Sequence, residues 1–128
     1  MAWIAVAVAL AGVLASSTVL AADGEDGAKF FSSCKGLINY WDGKPSEANY
    51  DAAAMGYCVG VIHGVRGTLQ ILSEGVKDGY PRVCLTADYV EQEGVRTVVK
   101  FLEEHPDKLK LKDVTITMLA LGAAYPCR

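Results

Sequence analysis

The chain has 128 residues, 12 Lys and Arg against 15 Asp and Glu, and a net charge of −3. A mildly acidic chain argues against nucleic acid as the main partner, which needs a basic face. The length bounds it to one domain with one modest core.

The first 22 residues, MAWIAVAVALAGVLASSTVLAA, carry no charged side chain. Their apolar run, residues 2–14, is too short to span a bilayer and leads into small residues. That pattern predicts a secretory signal peptide over residues 1–21. Cleavage is expected after Ala21, where Val19 and Ala21 occupy the two small-residue positions. The exported domain is then residues 22–128, and it keeps every charge.

Residues 28–40 predict a first helix, with Phe30, Cys34, Leu37 and Ile38 at helical spacing. WDGKPS breaks it, through Gly43 and Pro45. Ser46 is expected to cap the second helix, with Glu47 in its first turn. That helix runs to about Leu72 or Ser73. SEGVKDGYPRV reads as a loop. Thr86 is expected to cap a third helix, with Asp88 in its first turn and Val95, Val98, Val99 and Leu102 on its apolar face. It ends near Glu104, because Pro106 biases His105 away from helix. DKLKLK alternates polar and apolar residues and reads as extended chain or a short linker. Asp113 starts a last helix that Pro126 stops. The fold class is therefore all-α, a bundle of four or five helices.

Four cysteines, Cys34, Cys58, Cys84 and Cys127, survive cleavage. They form no C-x-x-C or C-x-x-C-H, so zinc-ribbon, thioredoxin-like and c-haem readings lack their short spacing. An even count in an exported chain predicts two disulfides. If the third and fourth helices are antiparallel neighbours, the chain before one meets the chain after the other. That pairs Cys84 with Cys127 and leaves Cys34 with Cys58.

The stretch AMGYCVGVIHGVRGTLQIL, residues 54–72, is the hardest to place. Met55, Cys58, Ile62, Val65, Leu69 and Leu72 form an unbroken apolar seam of helical period. Gly56, Gly60 and Gly64 form a second stripe, which Gly67 extends. Each glycine inside a helix costs about 0.8–1 kcal/mol relative to alanine. The stripe therefore implies close packing, either by a helix of the same chain or by a second subunit or partner. Arg66 within the run argues against a membrane span. Cys58 and His63 lie about 140° apart around a helix, so they cannot share a catalytic pocket. His63 reads as a surface or interface residue, and His105 as a group at a helix C-terminus. No acid cluster accompanies these histidines, so no metal or cofactor is expected. No G-x-S-x-G occurs either, and the chain carries no catalytic signature.

Three segments carry a family resemblance: YCVGVIHGV at 57–65, VCLTADYVEQEGVRTVVKFLEEHPDKL at 83–109, and TMLALGAAYPCR at 117–128. Tyr57, Cys58, Gly60, Cys84, Leu102, His105, Pro106, Tyr125, Pro126 and Cys127 occupy the matching positions. In these the chain resembles the Tai/Rap type of immunity protein. The resemblance implies a small helical protein of the Gram-negative periplasm that neutralises a peptidoglycan amidase delivered by type VI secretion. It implies inhibition by occlusion, often from a homodimer, with a loop entering the amidase cleft. Here the loop between the second and third helices supplies Ser73, Glu74, Lys77, Asp78 and Tyr80, with Tyr80 as a rigid aromatic anchor. The sequence departs from the family pattern at Arg66, where an acidic residue is common nearby, and at Leu85, where proline often follows the cysteine. A small acid-stress chaperone of the periplasm is the competing reading, and a small secreted enzyme the third.

Overall fold

The computed structural model describes residues 26–44, 50–75 and 82–128. The expected signal peptide, Ser46 and Glu47 lie outside these residues. Four α-helices, α1 (Asp26–Trp41), α2 (Ala52–Gly75), α3 (Glu91–Glu104) and α4 (Asp113–Ala124), form the bundle, with a 3-10 helix at Pro106–Lys110. The expected all-α class holds. Among the described residues the only β pairing is an isolated bridge between Val83 and Pro126.

α1 begins earlier than its apolar spacing implied, because Gly27 is buried against the backbone. A Cβ there would strike the carbonyl oxygens of Leu109 and Leu111. Phe30, Cys34 and Leu37 then point into the core. The helix ends on Gly43, at φ +62°. The Gly43 N–H donates to Tyr40 O at 3.2 Å and the Lys44 N–H to Asn39 O at 3.0 Å. This pair of bonds is a Schellman cap, and the positive φ is why glycine stands at 43.

Asp51 caps α2: its Oδ1 accepts the N–H groups of Ala53 and Ala54 at 3.0 and 3.1 Å. The predicted seam is the buried face, with Cys58, Ile62, Val65 and Leu69 in the core and Met55 and Leu72 half-buried. α2 continues to Gly75, so Ser73 and Glu74 lie on its last turn and not in the loop.

α3 starts at Glu91, later than the expected cap at Thr86. Residues 86–89 form a turn instead, closed by Tyr89 N–H to Thr86 O at 3.1 Å. The turn places the Tyr89 ring edge-on to Tyr125, 5.6 Å away. The Tyr89 hydroxyl also fills the space a Cβ would need at the buried Gly94. The predicted apolar face of α3 is buried as Val95, Val98, Val99 and Leu102. His105 caps α3 as expected, with Nδ1 2.9 Å from the Phe101 carbonyl.

DKLKLK is a short linker between α3 and α4, but it is not extended. Pro106 starts the 3-10 helix, with its fixed φ already suited to a first helical position. Its lysines stay outward while Leu109 and Leu111 pack on the core. α4 buries Ile116, Thr117, Ala120 and Leu121, and ends before Pro126 as anticipated.

Both disulfides form as paired above. Cys34–Cys58 joins α1 to α2 inside the core, and Cys84–Cys127 joins the chain before α3 to the chain after α4. Phe30, Ile62, Val98, Leu102 and Ile116 lie in the main core. A second cluster of Val65, Leu69, Val83 and Leu121 sits under the α2–α3 connection.

Candidate functional site

The α2–α3 connection is pinned at its base. The Ser73 Oγ accepts the Val83 N–H at 3.2 Å. The Cys84 N–H donates to Tyr125 O at 2.9 Å, beside the Cys84–Cys127 disulfide. Val83 is buried in the second cluster. Ser73 is therefore half-buried and holds the loop base, while Glu74 is exposed. Lys77, Asp78 and Tyr80 lie outside the described residues.

Next to this base stands a polar cluster from three segments. Glu91 Oε2 lies 3.4 Å from Arg66 Nε and 3.5 Å from His63 Nδ1. The Arg66 guanidinium sits over the Tyr89 ring, 5.8 Å from its centroid. Arg66 Nη1 donates to Gln70 Oε1 at 3.4 Å. Arg66 Nε, Tyr89 Oη and Glu91 Oε1 are buried without a hydrogen-bond partner among the described residues. The His63 side chain is 65% exposed, which fits its reading as a surface residue. A cation, a carboxylate, an imidazole and a phenol held this closely suit polar recognition. Sequence reading missed the cluster because Arg66, Tyr89 and Glu91 are close only after α3 folds against α2.

The phenols of Tyr89 and Tyr57 are both held neutral. Burial first, then the charge of Glu91, pushes Tyr89 up to about 12. Burial, then hydrogen-bond donation to Asp113, raises Tyr57 well above its ordinary 10.0. Both folded values lie above the unfolded ones. Their stabilisation is therefore fully present below pH 10 and is lost as pH rises through the folded values. Absorbance titration at 295 nm is expected to show these two phenols ionising late, coincident with loss of near-ultraviolet dichroism. Ionisation of all the tyrosines near their ordinary value, with the fold intact, would contradict this.

The glycine stripe faces a different way from the one its spacing suggested. Gly56, Gly60 and Gly64 are exposed, and a Cβ on any of them would meet nothing within 4 Å. Close packing within the chain is thus not their role among the described residues. The reason is angular: the Cys58–Ile62–Val65–Leu69 seam takes the core, and the stripe is turned away from it. Gly60 and Gly64 instead line an open groove of about 520 Å³ with Val65, Leu69, Val114 and Met118. Among the described residues, the glycines that admit close neighbours are Gly27 and Gly94.

No described helix is long and apolar enough to cross a membrane. No group of three His, Cys, Asp or Glu among the described residues could hold a metal ion. Fold and site together define a small helical protein, stapled by two disulfides, whose α2–α3 connection is anchored at its base. The chain belongs to the Rap1a immunity protein family, whose model matches residues 26–127. No curated protein and no solved structure is detectably similar to it. Family membership indicates a protein that binds a secreted effector.

Proposed function

We propose that this chain is an exported periplasmic immunity protein that binds a peptidoglycan amidase effector of type VI secretion and occludes its active site. The observation that carries the reading is the family match over residues 26–127, which spans every described helix. The two disulfides support export, since such bonds persist in oxidising compartments. The protein acts by binding and not by turnover. The α2–α3 connection, from Ser73 and Glu74 through Lys77, Asp78 and Tyr80, is the inhibitory element. A base fixed by Ser73, Val83 and Cys84 lowers the entropy cost of presenting it. No feature of the described residues favours the acid-stress chaperone.

The test is co-expression with the amidase encoded beside its gene. Exported amidase alone should lyse cells, and the pair should not. Tyr80→Ala with Lys77→Ala should lose most of the protection while the far-ultraviolet spectrum stays unchanged. If no neighbouring amidase binds the chain, the proposed function is lost. If binding survives loss of those side chains, the inhibitory element lies elsewhere.

The α2–α4 groove is assigned to a second copy of the chain. α4 is rich in apolar residues, and Val114, in this groove, remains 48% exposed. A large apolar patch left open marks an interaction surface. Gly60 and Gly64 would let the partner helix approach closely. Gly64→Glu is expected to convert a dimer to a monomer in light scattering, with helicity unchanged. A wild-type protein that is monomeric at every concentration would refute this.

A further inference from the structure

A second concave surface lies between α1 and α3. It has a volume of about 600 Å³, within the range of a binding cleft, and its charged walls are Lys35, Asp42, Lys44, Arg96, Lys100 and Glu103. Four cations face two carboxylates there, in a chain whose net charge is −3.

Both carboxylates are already engaged. Asp42 accepts Arg96 through both oxygens, at 2.6 and 3.3 Å. That guanidinium holds the Asp42 carboxyl below its ordinary range. Glu103 pairs with Lys35 at 3.3 Å. Lys44 makes no ion pair among the described residues, and Lys100 reaches only Glu104, 3.9 Å away and outside the cleft. Among the described residues the lining of this concavity therefore carries two more positive charges than negative ones.

Lys44 is also held in place. Its N–H is the outer bond of the Schellman cap on α1, and its carbonyl accepts the Tyr50 hydroxyl at 3.1 Å. The Tyr50 ring packs edge-on to Tyr40, 5.0 Å away. The turn that ends α1 thus fixes the backbone from which Lys44 reaches the cleft. Between the charges, Ile38 and Val99 supply an apolar floor.

We propose that the α1–α3 cleft docks an acidic peptide segment of a protein partner. Carboxylates would meet Lys44 and Lys100, and the methylene groups of the same segment would lie on Ile38 and Val99. The acidic remainder of the chain disfavours a long phosphate polyanion, which would be repelled beyond the cleft. The inference does not depend on which effector is neutralised, or on whether one is.

The test is a titration of isotope-labelled, disulfide-intact protein with an acetylated hexaglutamate peptide. Amide resonances of residues 38–44 and 96–103 should shift, and affinity should fall steeply as salt rises. Lys44→Glu with Lys100→Glu should weaken binding about tenfold or more, because both charges reverse. Both side chains are exposed, so the fold should survive, as circular dichroism will report. Lys100→Ala alone should give a smaller loss in the same direction. Absence of shifts in the cleft, or equal binding by the double variant, overturns the proposal. A DNA oligonucleotide of equal charge binding the same residues more tightly also overturns it.

Discussion

Replacing Cys84 and Cys127 together by alanine is expected to destabilise the protein by about 4 kcal/mol, from the chain entropy restored to the unfolded state. The bond spans 43 residues, the longer of the two closures. A domain of this size has a total stability of only about 5–15 kcal/mol, so the loss removes a large part of it. The effect should reach beyond stability. With the bond go the constraints on the Cys84 N–H to Tyr125 O bond and on the Val83–Pro126 bridge. Those contacts fix the base of the α2–α3 connection. Because that connection is the proposed inhibitory element, effector binding should also weaken at temperatures where the variant is fully folded. Urea unfolding of the oxidised wild type and the variant supplies the first measurement, and titration calorimetry the second. A midpoint unchanged by the double substitution would show that the bond is stabilising nothing.

Gly27→Ala is expected to cost about 3 kcal/mol, at the upper end of overpacking, because the obstruction is backbone. The added methyl would collide with the carbonyl oxygens of Leu109 and Leu111, and neither can rotate away. Relief requires α1 to move off the 3-10 helix, which disturbs Leu109 and Leu111 against the main core. Gly36→Ala is the control. It lies in the same helix with open space around its Cα, so alanine should stabilise by about 0.5–1 kcal/mol. Thermal unfolding of the two variants should shift in opposite directions. Two shifts of the same sign would reject this account of Gly27.

The apolar spacing of the chain made much of the bundle legible. The seam Cys58–Ile62–Val65–Leu69 and the α3 face Val95–Val98–Val99–Leu102 are buried as their periods imply. Element ends were less legible, because caps depend on single contacts. Asp51 takes the α2 cap through two short bonds to its own helix. Thr86, a good cap by type, is drawn into a turn that delivers Tyr89 to Tyr125 and Gly94.

The candidate sites divide in the same way. The α2–α3 connection was put forward from the family resemblance and from its varied polar side chains, and its role stands as a proposal. The Arg66–Glu91–Tyr89 cluster and the Lys44–Lys100 cleft could not be named from the sequence, since each gathers side chains from elements distant in sequence.

By itself, then, the order of residues determined the helical class and the buried faces, which follow from period, a local property. The pairing of the four cysteines was only favoured, because it depends on α3 and α4 lying antiparallel, and the folded structure joins Cys34 to Cys58 and Cys84 to Cys127. Only the tertiary structure decided which glycines admit a neighbour. Gly56, Gly60 and Gly64 have the spacing of a packing stripe but open onto solvent, whereas Gly27 and Gly94 have no pattern and are filled to contact. The physical reason is that a helix's period says which residues share a face. What lies opposite that face is set by how the other helices dock.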